Sequence, residues 1–267
     1  MRKLSSILLA ALLFTACQKE KATVTPPATS AKPAGEVAVT PESKLKTNAT
    51  INWSGYTWNV KAPTGTAGPG PNYWNPANVW VDANGWLHLK ISKNPSNNHW
   101  ECAEISSTQN FGYGTYQWQI DGPIATFDKN IVLGLFDYSG NDGRDEIDIE
   151  FARWGNSAWP NLNYTIFPKA GDPPTPASYS TEFTSPGGTY TTHRFKRTST
   201  SVVFKSLYGF YNDDTNLFLT KTFNSPGTSI STLSMPVLLN LWCFNGLAPS
   251  NGQGVEVVIH NFKFTAL

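Results

Sequence analysis

The sequence predicts an all-β protein built from two packed antiparallel sheets. Three observations support this prediction. The 267 residues include 15 Phe, 10 Trp and 10 Tyr, whereas charged residues make up only 15%. Apolar residues alternate with polar ones at a period of two, which is typical of half-buried strands, and Gly, Pro and Asn clusters separate these stretches. No stretch keeps the 3.6-residue period of an amphipathic helix.

The first segment is predicted to be an export signal, residues 1–16. Arg2 and Lys3 precede an apolar stretch, 4–14, that is shorter than the roughly twenty residues needed to span a bilayer. The stretch 13–17, LFTAC, resembles a bacterial lipobox, with Phe14 where Leu is usual, and this predicts that Cys17 is lipidated. The alternative is an ordinary signal peptide followed by an incidental cysteine.

Residues 17–47 are rich in Pro, Thr, Ala and Lys and contain no aromatic residue. Such a composition cannot form a core, so we expect a disordered tether. Aromatic residues run from Trp53 to Phe264, which predicts a single domain over 48–267. The mature protein is expected to be a monomer on the bacterial cell envelope, at the outer membrane or the cell surface. Its only expected link to the membrane is the lipid anchor.

Strands follow one another through this domain. Residues 79–81 and 86–91 are predicted to form a hairpin around the turn 82–85, Asp-Ala-Asn-Gly. The remaining predicted strands are 113–120, 131–138, 146–151, 161–167, 193–197, 201–206, 237–242 and 255–264.

One strand carries three carboxylates. In a strand, side chains alternate between faces, so Glu146, Asp148 and Glu150 point to one side and the intervening apolar residues enter the core. Like charges this close raise each other's pKa, so one carboxyl is expected to keep its proton near neutral pH. One ionised and one protonated carboxyl are what retaining glycoside hydrolysis requires. The alternative is a solvated strand face, although such a face usually intersperses cations.

Several motifs resemble glycoside hydrolase family 16. The run 145–151, DEIDIEF, looks like its catalytic signature in the unbulged E-x-D-x-E form found in bacterial lichenases and plant xyloglucan-modifying enzymes. Other lichenase-like stretches follow in the family's order: CAE at 102–104, ST at 107–108, GYGxY at 112–116, LNY at 162–164 and NLW at 240–242. The resemblance implies a β-jelly-roll of the concanavalin type, with a concave cleft for polysaccharide.

The resemblance also implies roles for residues. Glu146 is expected to be the nucleophile, Glu150 the general acid and then base, and Asp148 the group that orients the nucleophile. Chemistry alone leaves the two glutamates interchangeable. The positions that match sugar contacts in relatives are Glu104, Asn163, Asn240 and Trp242. Trp154 would share the face of the carboxylates if their strand continued that far, and would lie off it if the strand ended at Arg153.

This chain departs from lichenases outside the triplet. Ser106 replaces an arginine that follows the CAE motif, Arg144 replaces a tryptophan before the signature, and Thr165 replaces a tyrosine. The upstream cysteine that pairs beside CAE in lichenases is missing. Cys102 and Cys243 therefore either bridge each other or stay as buried thiols.

The predicted activity is retaining, endo-acting hydrolysis of a β-1,3/1,4- or β-1,3-glucan. Relatives often hold a structural calcium through an Asp in the last strand, but His260 occupies that position here. No cofactor is therefore predicted, and a structural calcium stays an open alternative. Twenty basic and 19 acidic residues create no field that would attract nucleic acid. The alternatives are a surface lipoprotein that binds glycans without cleaving them, and a transglycosylase acting on the same polymers.

Overall fold

The computed structural model describes residues 49–267, so the predicted signal peptide, Cys17 and the predicted tether lie outside the described part. In this part 17 strands form. They are β1 (Thr50–Trp53), β2 (Tyr56–Val60), β3 (Thr66–Ala67), β4 (Asn72–Trp74), β5 (Val79–Val81), β6 (Leu87–Lys93), β7 (Trp100–Phe111), β8 (Gly114–Asp121), β9 (Ile131–Tyr138), β10 (Glu146–Ala152), β11 (Leu162–Phe167), β12 (Ala177–Thr181), β13 (Tyr190–Arg197), β14 (Ser201–Tyr208), β15 (Leu217–Asn224), β16 (Met235–Cys243) and β17 (Val255–Ala266). Four short 3-10 helices lie at Pro76–Asn78, Ile124–Thr126, Lys169–Gly171 and Phe244–Gly246.

The strands pair into two large antiparallel sheets. The front sheet has the order β1-β2-β7-β16-β9-β10-β11-β12. The back sheet has the order β5-β6-β17-β8-β13-β14-β15. A small third group joins β3 and β4 to the start of β7, and β6 also reaches β7 there. The predicted sandwich of jelly-roll type is confirmed.

The core lies between the two sheets. Ile147, Ile149 and Phe151 of β10 are fully buried on one side, and Trp118 and Phe195 of the back sheet are fully buried on the other. Large side chains of this kind supply most of the apolar area that stabilises a sandwich. Because β10 alternates, burying its apolar residues places its three carboxylates on the outer face of the front sheet.

The predicted hairpin forms as expected, with Val79 opposite Leu89 and Gly85 at a φ of +81° in the turn. The prediction missed seven strands, β1–β4, β7, β12 and β15. In these segments polar Ser, Thr and Asn interrupt the alternation, and pairing with neighbours compensates for the weak pattern. No helix in the described range is long and apolar enough to cross a membrane.

Candidate active site

The three carboxylates of β10 lie side by side over the middle of the front sheet. Across to β9, Glu146 faces Tyr138, Asp148 faces Phe136, and Glu150 faces Gly134. All three line a cleft of about 360 Å³. Asp148 is 3% exposed, so the cleft holds an ionisable group that water scarcely reaches.

A buried aspartate fixes the start of this strand. Asp145 has a φ of +51° and is 1% exposed. Its Oδ1 accepts a hydrogen bond from Ser231 Oγ at 2.6 Å, and its Oδ2 accepts one from the Ala170 backbone N–H at 2.9 Å. The first acid of the DEIDIEF run therefore positions β10. In the sequence, Asp145 does not share the two-residue spacing of Glu146, Asp148 and Glu150, and this was the one signal that it has a structural role.

Electrostatics within the triplet favour retained protons. Burial, then repulsion by neighbouring carboxylates, raises the pKa of Glu146 and of Asp148 well above the ordinary range. Burial alone raises the pKa of Glu150 to about 8. A hydrogen bond between Asp148 and Glu146 lowers the pKa of Glu146 and raises that of Asp148. Within the pair, this bond therefore favours the charged form of Glu146 and the neutral form of Asp148.

Two predicted sugar contacts meet beside the triplet. Asn240 Nδ2 donates to Glu104 Oε2 at 3.3 Å, and both residues are buried and line the cleft. The Oδ1 of Asn240 is buried without a partner. A Cβ at Gly134 would lie 2.5 Å from this oxygen, so only glycine leaves room for it. Gly134 is a site residue that the prediction missed, although a glycine within an apolar strand signals close approach.

The other three predicted sugar contacts, Trp242, Asn163 and Trp154, differ in where their side chains lie. Trp242 lines the cleft while packing into the core. Asn163 faces Glu150 from β11, but its Nδ2 donates to the Ala152 carbonyl at 3.0 Å and its Oδ1 accepts from Ser180. Asn163 thus supports β10 rather than lining the cleft. Trp154 lies beyond the end of β10 at a φ of +52°, with its ring centroid 6.5 Å from that of Trp242. The continuous strand that would have placed it beside the carboxylates does not form.

Lys61, Gly68 and Pro69 complete one end of the cleft. They come from segments without a recognised motif, and only the folded chain brings them beside the carboxylates. Lys61 Nζ lies 2.9 Å from Glu104 Oε1. This places a cation beside Glu104 of β7.

The remaining candidates are structural. Cys102 and Cys243 are buried free thiols. The side-chain hydrogen bond with Cys243, followed by burial, raises the pKa of Cys102. The ring of His260 stacks on that of Trp86 with centroids 3.9 Å apart. Within 49–267, no group of three His, Cys, Asp or Glu side chains is arranged to hold a metal ion.

Comparison with known proteins decides the family. Residues 71–242, more than half of the chain, match the model of the glycosyl hydrolases family 16. The chain belongs to this family. The matched range includes all three carboxylates of β10.

Individual relatives of this family 16 protein agree in fold. It is 40% identical to a beta-glucanase of Paenibacillus polymyxa over 81 residues, which cover 29% of this chain and 32% of that relative. The match thus spans about a third of the relative's length. The structure superimposes on the Bacillus licheniformis beta-glucanase with a TM-score of 0.59 at 20% identity, covering 83% of this chain and 100% of that one. A beta-1,3-glucanase of Mycobacterium marinum gives 0.58 at 20% identity, covering 78% and 90%.

Proposed function

We propose that this family 16 protein hydrolyses internal β-glycosidic bonds of a β-1,3/1,4- or β-1,3-glucan with retention of anomeric configuration. The observation that carries the proposal is the row of three carboxylates, Glu146, Asp148 and Glu150, in one cleft. Family membership and the beta-glucanase of Paenibacillus polymyxa support it.

The proposed reaction has two steps. The ionised carboxylate of Glu146 attacks the anomeric carbon while Glu150 gives its proton to the departing glycosidic oxygen, leaving a glycosyl-enzyme ester. Glu150, now ionised, takes a proton from water, which attacks the same carbon and releases Glu146. The hydrogen bond with Asp148 favours the charged form of Glu146, whereas burial and repulsion by Glu150 disfavour it.

The different environments of the two glutamates support this order. Glu150 gains its raised pKa from burial alone and so carries a proton at neutral pH, as a general acid must. Glu146 receives the hydrogen bond from Asp148, which favours its charged form. The sequence left the two roles interchangeable, whereas these contacts favour one assignment.

The test is product analysis on mixed-linkage glucan, laminarin, xyloglucan, agarose and carrageenan. We expect new reducing ends from mixed-linkage glucan or laminarin, with the β-anomer appearing first in NMR spectra. Longer products made by transfer to sugar hydroxyls would indicate a transglycosylase. Binding without cleavage on every polymer would contradict the proposal and favour the glycan-binding alternative.

We further propose that Cys17 carries a lipid that holds the domain on the cell envelope. The lipobox-like LFTAC and the aromatic-free stretch that follows it support this. Cys17→Ser should release the protein from the membrane fraction, because the acyl chain is the anchor. Membrane partitioning that is the same in the Cys17→Ser variant and the parent would contradict the proposal.

A further inference from the structure

Lys61 lies just after β2, at the end of the cleft beside Glu104. Its backbone N–H donates to the carbonyl of Glu104 at 3.0 Å, which fixes the two residues side by side. Its ammonium then contacts Glu104 Oε1 at 2.9 Å. The two residues are therefore linked through both their main chains and their side chains.

The same ammonium holds the segment 66–74 against the sheet. Nζ donates to the carbonyl of Gly68 at 2.5 Å and lies 4.2 Å from the ring centroid of Trp74. Trp74 Nε1 in turn donates to the Ala67 carbonyl at 2.9 Å. A cation over an indole contributes most where water is excluded, and Trp74 is 6% exposed.

Lys61 opposes the effect of burial on the Glu104 carboxyl. Burial raises the pKa of Glu104, and the charge and hydrogen bond of Lys61 act in the opposite direction. Its second oxygen accepts from Asn240 Nδ2, while Asn240 Oδ1 stays buried without a partner. A buried acceptor that lacks a donor is costly unless a ligand supplies one.

We propose that Lys61 is a specificity-determining residue, which holds the Glu104 carboxyl in place as an acceptor and holds the 66–74 segment around a subsite for a neutral sugar unit. Hydroxyl donors of that unit would reach Glu104 and Asn240 Oδ1. The inference rests on the proposed function, because it names how that same cleft selects its polymer. Anionic sugars are disfavoured here, because the one ammonium that residues 49–267 contribute to the cleft lining, that of Lys61, is already paired with Glu104.

The experiment measures binding separately from cleavage. In the Glu146→Gln background, a β-glucan hexasaccharide is titrated by calorimetry against proteins that also carry Lys61→Met, Lys61→Arg, Glu104→Gln or Lys61→Met with Glu104→Gln. We expect Lys61→Met and Glu104→Gln each to raise Kd about tenfold, and the combined variant to be no weaker than either, because both changes break the same contact between Lys61 and the Glu104 carboxyl. Lys61→Arg keeps the charge and should fall between Lys61→Met and the Glu146→Gln background.

Lys196→Met, which removes an exposed lysine on β13 of the back sheet, is the matched control and should leave Kd unchanged. Kd within twofold of the background for Lys61→Met, or effects that add in the combined variant, would overturn the inference. So would failure of the background protein to bind the hexasaccharide. Cleavage by the parent protein reports separately on the proposed function. A parent that cleaves glucan while Lys61→Met leaves Kd unchanged would refute only the role of Lys61.

Discussion

The two faces of strands β9 and β10 carry carboxylates in different surroundings: in the described part of the chain, the one on the core face is paired with a cation, and the three on the cleft face are not. On the core face, Asp137 of β9 is fully buried and its Oδ2 lies 3.0 Å from Nη1 of the equally buried Arg197. On the cleft face, no Lys, Arg or His within residues 49–267 forms an ion pair with Glu146, Asp148 or Glu150. Carboxyl groups gathered without a cation raise each other's pKa, so their retention on one face only is typical of a functional site.

The core pair is also bound into its surroundings. Arg197 Nη2 donates to the carbonyls of Phe111 and Leu233, at 3.2 and 2.8 Å, and the guanidinium lies 5.5 Å from the ring centroid of Tyr113. Burial raises the pKa of Asp137 to about 6 against the opposing charge of Arg197, so the carboxylate is ionised at neutral pH. Arg197 thus links the back sheet to the front sheet directly behind the cleft.

Removing the Arg197 cation should destabilise the protein. Arg197→Met leaves Asp137 buried and uncompensated, so the free energy of unfolding should fall by about 3–5 kcal/mol in urea titrations at pH 7. Adding Asp137→Leu should restore most of the loss, since an apolar pair can replace a buried ion pair. Lys205→Met is the control, because its partner Asp214 is half exposed and such pairs contribute about 0–1 kcal/mol. A loss no larger than that of the control would refute the contrast.

Replacing Asp148, the central carboxylate of the cleft, should lower the catalytic rate rather than the stability. Asp148→Asn keeps the shape but weakens the hydrogen bond that favours ionised Glu146, so kcat should fall roughly 10- to 100-fold, less than for either glutamate variant. Steady-state kinetics on the polymer that the parent cleaves measures this. Unchanged kcat would remove Asp148 from the mechanism.

Replacing Glu150 should change how the stability of the protein depends on pH. The pKa of Glu150 is about 8 in the folded protein and near 4.5 when unfolded, so between these values the folded state binds the extra proton. Stability contributed by this group therefore falls as pH rises from about 4.5 to 8. Glu150→Gln should stabilise the protein by about 1 kcal/mol at pH 8 and by little at pH 4. Equal stability of parent and variant at both pH values would argue against a buried, protonated Glu150.

The sequence predicted the parts of this molecule whose pattern is local. Alternation alone placed the three carboxylates on one face of β10, and Gly85 marked the hairpin turn. The end of β10 could not be read in this way, because consecutive positive φ angles at Trp154 and Gly155 turn the chain. Lys61 and Arg197 were missed for a different reason: each acts through a partner more than 40 residues away, which only the sheet pairing brings into contact.

The most direct test of the account is the stereochemistry of azide rescue. Glu146→Ala should lose activity and regain it with azide on an activated aryl glycoside, giving the α-glycosyl azide, because the anion enters from the vacated nucleophile face. Glu150→Ala should yield the β-glycosyl azide, formed by attack on the glycosyl-enzyme. Swapped products would reverse the two roles. Wild-type activity in both variants would contradict the claim that the carboxylates of β10 are the catalytic centre.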